Sequence, residues 1–227
     1  MIDPVGLKQK LSNLQQGDHT CFLYKDKEEQ VTVTVLFLLI GLERNEQGVF
    51  LADPATLQQA KDYLVRLGVD VELEIKRKAL SFISDRLYLQ DGKFYPQNML
   101  RFLEKGLADC VNAGFTGLRA TGDVMWELGT DTDFRKLYQY EVMLDYYLDG
   151  KKIVGLCQYR YDDIPPHFVR HSMTTHPHLV YHWLVCRNHR FYNPALPYQE
   201  KPQESEAKVV SEMFKSLLEQ GKPPIIN

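Results

Sequence analysis

Apolar positions along the chain fall into short unbroken runs separated by longer stretches in which they recur every three or four residues. That is the pattern of buried strands alternating with amphipathic helices. Leu7, Leu11 and Leu14 share one side of a short helix over 5–15, which Gly17 stops. His19-Thr20-Cys21-Phe22-Leu23-Tyr24 is a β-compatible run and predicts the first buried strand. Asp26-Lys27-Glu28-Glu29 has the form of a capping box, so a helix is expected over 27–44, apolar nearly all round and therefore buried. A strand and turn over 47–54, a helix over 55–67 and a strand over 80–84 follow. The stretch 87–95 reads as a small hairpin excursion turning at Gln90-Asp91-Gly92-Lys93.

The second half repeats the alternation. A helix over 96–113 leads into a short strand, Gly117-Leu118-Arg119-Ala120, whose end at Gly122 presents Arg119, Thr121, Asp123 and Trp126. Asp131-Thr132-Asp133 caps a helix over 134–148, the strand 152–159 follows, and Pro165-Pro166 opens a helix reaching Met173. The segment 179–192 is read as one or two edge strands, 200–204 as a polar hinge, and 205–220 as an amphipathic helix. Strand and helix in strict alternation predict an α/β fold, a mainly parallel central sheet with helices on both faces in a three-layer sandwich.

Composition narrows the class. Apolar residues at 44% and charged residues at 25% are the balance of an ordinary globular domain. A formal charge of −3 argues against a domain built to grip a nucleic-acid backbone. The cysteines Cys21, Cys110, Cys157 and Cys186 lie far apart without a CxxC pair, and Met1-Ile2-Asp3-Pro4 does not begin a secretory leader. The expectation is a cytoplasmic chain with reduced thiols and no membrane span.

In open α/β sheets ligands bind beyond the carboxyl ends of strands, which favours the groups at such ends over the same groups elsewhere. For any one residue the bland reading competes: Trp126 as core, Arg119 and Asp123 as an ion pair, His19 and His176 as structural histidines. His167-x3-His171 and His178-x3-His182, with Cys186 nearby, offer imidazoles at metal-ligand spacing, but no acidic partner follows and no metal or other cofactor is expected. Cys157, in an apolar strand, reads as an inert thiol, and catalysis is not expected.

The order of elements resembles the KaiC and RecA group of ATPases, but the Walker A loop is missing. Residues 22–30 contain no glycine and place carboxylates where a triphosphate would sit. A closer resemblance is to the MEDS family, the sensory domain of methanogens and methylotrophs also found in the dichloromethane-responsive regulator DcmR. It is carried by His19 to Tyr24, by Gly117-Leu118-Arg119 with Gly122-Asp123 and Trp126, by Tyr140-Glu141, by Leu156-Cys157-Gln158-Tyr159 and by His176-Pro177. Asp123 stands where the family commonly has a glutamate.

The resemblance implies a sensory domain over 1–199, with 200–227 a hinge and C-terminal helix. It implies a non-catalytic sensor of a small organic molecule, a hydrocarbon derivative, that signals to a histidine kinase, an anti-sigma factor or a transcription regulator. The expected ligand-binding residues are His19, Cys21, Tyr24, Arg119, Thr121, Asp123, Trp126, Glu141, Cys157, Tyr159 and His176. Trp126 and Tyr159 would form apolar walls while Arg119, Asp123 and His19 orient a polar end. The competing reading is a degenerate ATPase-fold assembly module, forming contacts with other chains or with copies of itself.

Overall fold

The computed structural model describes residues 3–128, 133–198 and 205–220. The elements run α1 (Pro4–Leu11), β1 (His19–Tyr24), α2 (Lys27–Glu43), β2 (Gln47–Leu51), α3 (Pro54–Arg66), α4 (Val71–Lys76), β3 (Leu80–Ile83) and α5 (Pro96–Asn112). They continue with β4 (Leu118–Asp123), α6 (Val124–Leu128), α7 (Phe134–Leu148), β5 (Ile153–Arg160), α8 (Pro166–Thr175), β6 (His178–Tyr181), β7 (Leu184–Arg187) and α9 (Glu206–Gln220). The strands form a seven-stranded sheet in the order β3-β2-β4-β5-β1-β6-β7. Every neighbouring pair is parallel except the β6–β7 hairpin. This is the α/β architecture that the alternation predicts.

Two layers of helix cover the sheet. On one face α1 and α2 pack Leu7, Leu11, Phe37 and Ile40 against Phe22, Val154 and Leu156, while α3 and α4 close over Phe50 and Leu80. On the other face α5, α7, α8 and α9 bury Leu103, Leu144, Phe168 and Leu217 with Leu51, Ile153 and Tyr159. Helix α2 is enclosed along most of its length, which explains its unbroken apolar sequence. Its N-terminus is capped as expected on one side, with Asp26 accepting from the Glu29 backbone at 2.9 Å. Glu29 reaches one residue further back than a capping box requires and accepts from the Lys25 backbone at 3.0 Å.

Several local readings are refined. The turn in 87–95 is present, with Asp91 and Gly92 at φ 52° and 71° and Gln90 bridging Lys93. Of the two expected edge strands only β7 lies at the edge, since β6 is paired on both sides, and they are joined through His182 and Trp183 at φ 45° and 64°. A hairpin turn with both central residues in the left-handed region usually announces itself by Asn or Gly, and neither is there. Helix α4, capped by Asp70, and the single-turn α6 were not expected. The polar hinge at 200–204 and most of the expected Asp131-Thr132-Asp133 cap lie outside the described residues, although Asp133 caps α7 by accepting from the Arg135 backbone at 3.1 Å.

His171 on α8 is 1% exposed and packs between the rings of Tyr138 and Tyr198, at 5.1 and 5.0 Å. Burial, aided by the charges of Arg170 and His167, pulls its pKa from the ordinary 6.5 down to about 4. The folded state therefore binds this proton less readily than the unfolded one, and stability falls as pH drops from 6.5 towards 4. His171→Phe keeps the ring and removes the proton site. Urea midpoints measured at intervals from pH 7 to pH 5 are expected to fall less steeply for His171→Phe than for the parent chain.

A buried histidine–cysteine–glutamate cluster as the candidate functional site

Successive residues of a strand point to opposite faces of the sheet, and the register of the central strands fixes which face each candidate takes. Cys21 lies opposite Cys157, Leu23 opposite Tyr159, and His19 opposite Gly155. These side chains point towards α5, α7 and α8. Tyr24, Arg119, Thr121 and Asp123 fall on the alternate positions and point towards α2. A single pocket in which Arg119, Asp123 and His19 together orient one ligand is not what this sheet builds.

On the α2 face most polar side chains pair with one another, although both Arg119 Nη atoms and Thr20 Oγ1 are buried without a hydrogen-bond partner. Arg119 Nε donates to Glu46 Oε2 at 2.7 Å, and its guanidinium lies 4.6 Å from the Phe37 ring centre. Burial pulls its pKa below the usual range, and Glu46 opposes that pull. Gly41 of α2 leaves room for this side chain, since a Cβ there would stand 3.0 Å from Arg119 Cδ. Asp123 accepts from Tyr24 Oη at 2.9 Å, from Gln30 Nε2 at 3.0 Å and from the Trp126 backbone at 3.2 Å. Gln30 also donates to Gln158 Oε1, which in turn donates through Nε2 to Thr34 at 3.0 Å and Thr121 at 2.6 Å. Trp126 is half-buried under the guanidinium of Arg86, 4.4 Å away. Tyr24, Gln30, Asp123 and Gln158 tie α2 to the carboxyl ends of β1, β4 and β5. A shallow cleft of about 230 Å³ opens beside them, lined by Tyr24, Asp26, Lys27, Asp123, Met125, Arg160 and Asp163.

The opposite face gathers the rest of the candidates. His19 from β1, Glu141 from α7, Cys157 from β5 and His176 just after α8 bring donor atoms that all lie within 4.8 Å of one another, and all four residues are buried. His19 Nε2 and His176 Nε2 are each 3.3 Å from Glu141 Oε2, and His19 Nε2 is 3.5 Å from Cys157 Sγ. Tyr159 donates to Glu141 Oε1 at 2.5 Å. Each imidazole is held from behind. His19 Nδ1 faces Asp145 Oδ1 at 3.3 Å, and His176 Nδ1 faces the Ser172 carbonyl at 2.6 Å. Tyr192 donates to the other Asp145 oxygen at 2.6 Å.

The electrostatics follow from this enclosure. Burial pulls the His19 imidazole down, but the Asp145 and Glu141 carboxylates outweigh it and its pKa ends above the ordinary value. Burial and the neighbouring His19 charge hold His176 below its ordinary value. Burial pushes Glu141 up, the two histidines outweigh that push, and its carboxyl ends far below the usual range. Burial also pushes the Tyr159 phenol and the Cys21 thiol well up, so Tyr159 stays a donor and Cys21 stays unreactive. Glu141 is thus a carboxylate at neutral pH, sealed from water.

An apolar cavity of about 30 Å³ adjoins this cluster, with Cys157 on its wall. Leu51, Met99, Leu103 and Ala120 line it with Tyr140, Leu144 and Leu148 of α7. Three participants lie outside the expected set: Asp145, Tyr192 and the Ser172 carbonyl. Asp145 carries a visible signal, because it follows Glu141 by one helical turn and must share its face. Tyr192 and the Ser172 carbonyl carry none, since their part depends on how the chain after α8 packs. His167 and His171 of α8 lie outside the cluster, as do His178 and His182 at the β6 hairpin.

Residues 18–177, well over half of the chain, match the model of a family described as the methanogen/methylotroph, DcmR sensory domain (MEDS). The match spans all four residues of the buried cluster. A search of curated proteins finds no match to the chain.

Breaking a buried ion pair by removing one partner leaves an uncompensated charge and costs about 3–5 kcal/mol. Arg119→Ala is expected to lower stability by that much in urea unfolding. The double variant Arg119→Met, Glu46→Leu is expected to recover most of the loss. A stable Arg119→Ala protein that has lost a ligand response would return Arg119 to the binding site.

Proposed function

The chain belongs to the MEDS family of sensory domains, and we propose that it is a non-catalytic sensor taking a small organic molecule in the apolar cavity between the sheet, α5 and α7. The observation that supports this reading is the double role of α7. Tyr140, Leu144 and Leu148 form one wall of the cavity, while Glu141 and Asp145 on the same helix hold the two histidines. A molecule entering the cavity therefore bears on the helix that carries the buried charge.

Size and polarity describe the ligand. Cavities of ~150 Å³ lined by Leu, Ile and Phe take benzene, and a space of about 30 Å³ is room for one small group, so even a one- or two-carbon molecule enters only as the walls move apart slightly. The lining is mostly apolar, with Cys157, Tyr140 and Thr121 as its polar residues, which fits a hydrocarbon derivative with a small polar or halogen substituent. A larger ligand would have to displace α5 or α7, and a ligand signals only if it binds one arrangement more tightly than the other. Helix α7 packs on α8, and α8 on α9, so the displaced surface would be read on that side by a partner such as a kinase, an anti-sigma factor or a transcription regulator. A nucleotide is a poor alternative occupant. Only Lys25 and Asp26 separate β1 from α2, with no glycine to shape a phosphate cradle, and Glu28 and Glu29 occupy the first helical turn. Among the described residues no helix is long and apolar enough to cross a membrane, and a cytoplasmic setting is the one we infer.

Thermal unfolding against one- and two-carbon haloalkanes, alcohols and amines, with Mg-ATP alongside, tests the reading. A ligand at 100 times its Kd is expected to add ~2.7 kcal/mol. Ala120→Val, which fills the cavity with a residue suited to a strand, is expected to abolish that gain while leaving the fold intact. A gain with Mg-ATP alone would replace the sensor with a nucleotide switch. Silence across the panel would favour the assembly reading.

A further inference from the structure

The polar cluster is chemically incomplete as it stands. His176 Nδ1 has the Ser172 carbonyl as its acceptor, so the ring proton sits there and the Nε2 lone pair points inward. That lone pair stands 3.3 Å from Glu141 Oε2, and neither atom has a hydrogen-bond partner. Both residues are fully buried. An acceptor facing an acceptor without water costs free energy unless something positive lies between them. His19 has Asp145 behind its Nδ1, and its Nε2 faces both Glu141 Oε2 at 3.3 Å and Cys157 Sγ at 3.5 Å.

Three of the separations match those of ligands around one ion, and all four donor atoms lie within 4.8 Å of one another. Around a tetrahedral zinc ion with Zn–N and Zn–O near ~2.0–2.1 Å and Zn–S near ~2.3 Å, adjacent N and O donors stand about 3.3–3.4 Å apart and N and S donors about 3.6 Å. The cluster has 3.3 Å for each His Nε2 to Glu141 Oε2 and 3.5 Å for His19 Nε2 to Cys157 Sγ. Imidazole with thiolate and carboxylate is a borderline-soft set that suits zinc. One thiolate and one carboxylate neutralise a divalent ion, so the loaded site would add no net charge to the interior. The supports behind the ligands are those of metal sites, where the second ring nitrogen of a ligating histidine donates to a carboxylate or a carbonyl.

We propose that His19 Nε2, His176 Nε2, Cys157 Sγ and Glu141 Oε2 form a site for one zinc-class divalent ion, with Asp145, Tyr159 and the Ser172 carbonyl as positioning groups. The ion replaces the thiol proton and any proton shared between His19 and Glu141, which leave to solvent. Because the ligands are sealed on every side, the ion enters during folding or a transient opening rather than through a channel. The site stands independently of the sensor reading, though Cys157 belongs both to it and to the cavity wall.

The test is to unfold the full chain in chelator and refold it with one equivalent of Zn²⁺ or Co²⁺, then measure bound metal by elemental analysis after desalting. One ion per chain is expected, with a raised midpoint of thermal unfolding. The Co²⁺ form should show a thiolate-to-cobalt charge-transfer band and the visible bands of a four-coordinate ion. Cys157→Ala, which removes little volume, should fold and lose the charge-transfer band. Asp145→Asn should weaken metal binding about 10–100-fold, as loss of such a support does elsewhere. His178→Gln, outside the cluster, should leave binding unchanged. A correctly folded parent chain that retains no metal at saturating Zn²⁺ would overturn the site. So would a Cys157→Ala variant that binds Co²⁺ with the parent's affinity and spectrum. Either result would leave the thermal response to small organic ligands to be judged by itself.

Discussion

Glu141 is a carboxylate without access to water, and the half of the molecule around it is arranged to keep it charged. Removing an ion from water carries a penalty of several kcal/mol even after the protein relaxes. The compensation comes from distant parts of the chain, with His19 from the first strand, Tyr159 from the fifth and His176 from the chain just beyond α8. A single side chain on α7 thereby cross-links the middle of the sheet to two helices. The arrangement exists only when β1, β5, α7 and α8 are all in place, which makes it a product of tertiary folding and not of any local motif.

The other face solves a different problem with similar residues. Asp123, Gln30, Gln158, Thr34 and Thr121 form a chain in which the amide and hydroxyl donors find acceptors, and Arg119 is matched by Glu46. Satisfied networks of this kind fix register and rigidity, because any slip of a strand would strand a buried donor. The sheet thus carries a rigid polar clamp under α2 and an unsatisfied polar centre under α7. The second gathers imidazole, thiol and carboxylate atoms around one point, and it also borders the apolar cavity.

The architecture was legible because strand and helix alternate with clean punctuation. Asp26, Asp53 and Asp133 cap helices where their sequence neighbourhoods suggest, and buried strands carry the expected unbroken apolar runs. His19, Glu141, Cys157 and His176 were also legible as candidates, but only through a resemblance between short motifs. Their grouping was not. Whether Arg119 or Ala120 faces the helix α7 depends on strand register, and a shift of one residue would exchange the two faces entirely. The cluster left no ligand spacing in the chain for a related reason: His167 and His171 are imidazoles spaced along one helix, whereas the cluster draws one side chain from each of several elements. Proximity of that kind is a property of the topology β5-β1-β6 and leaves no spacing signal in the chain.

That α7 is shared by the cavity and the charged centre bears on how a signal could travel. An apolar wall alone yields gradually, since packed side chains can adjust by small rotations. A buried ion cluster does not yield gradually, because pulling Glu141 away from its histidines exposes several charges to an apolar interior at once. A ligand would therefore move α7 only if the free energy it gained exceeded what the cluster contributes, and the helix would then need a second arrangement with its own partners. Two discrete arrangements, each biased by what occupies the cavity and by what holds the histidines, are what a switch requires. The closeness of the two sites is the physical reason that occupancy of one would be felt at the other.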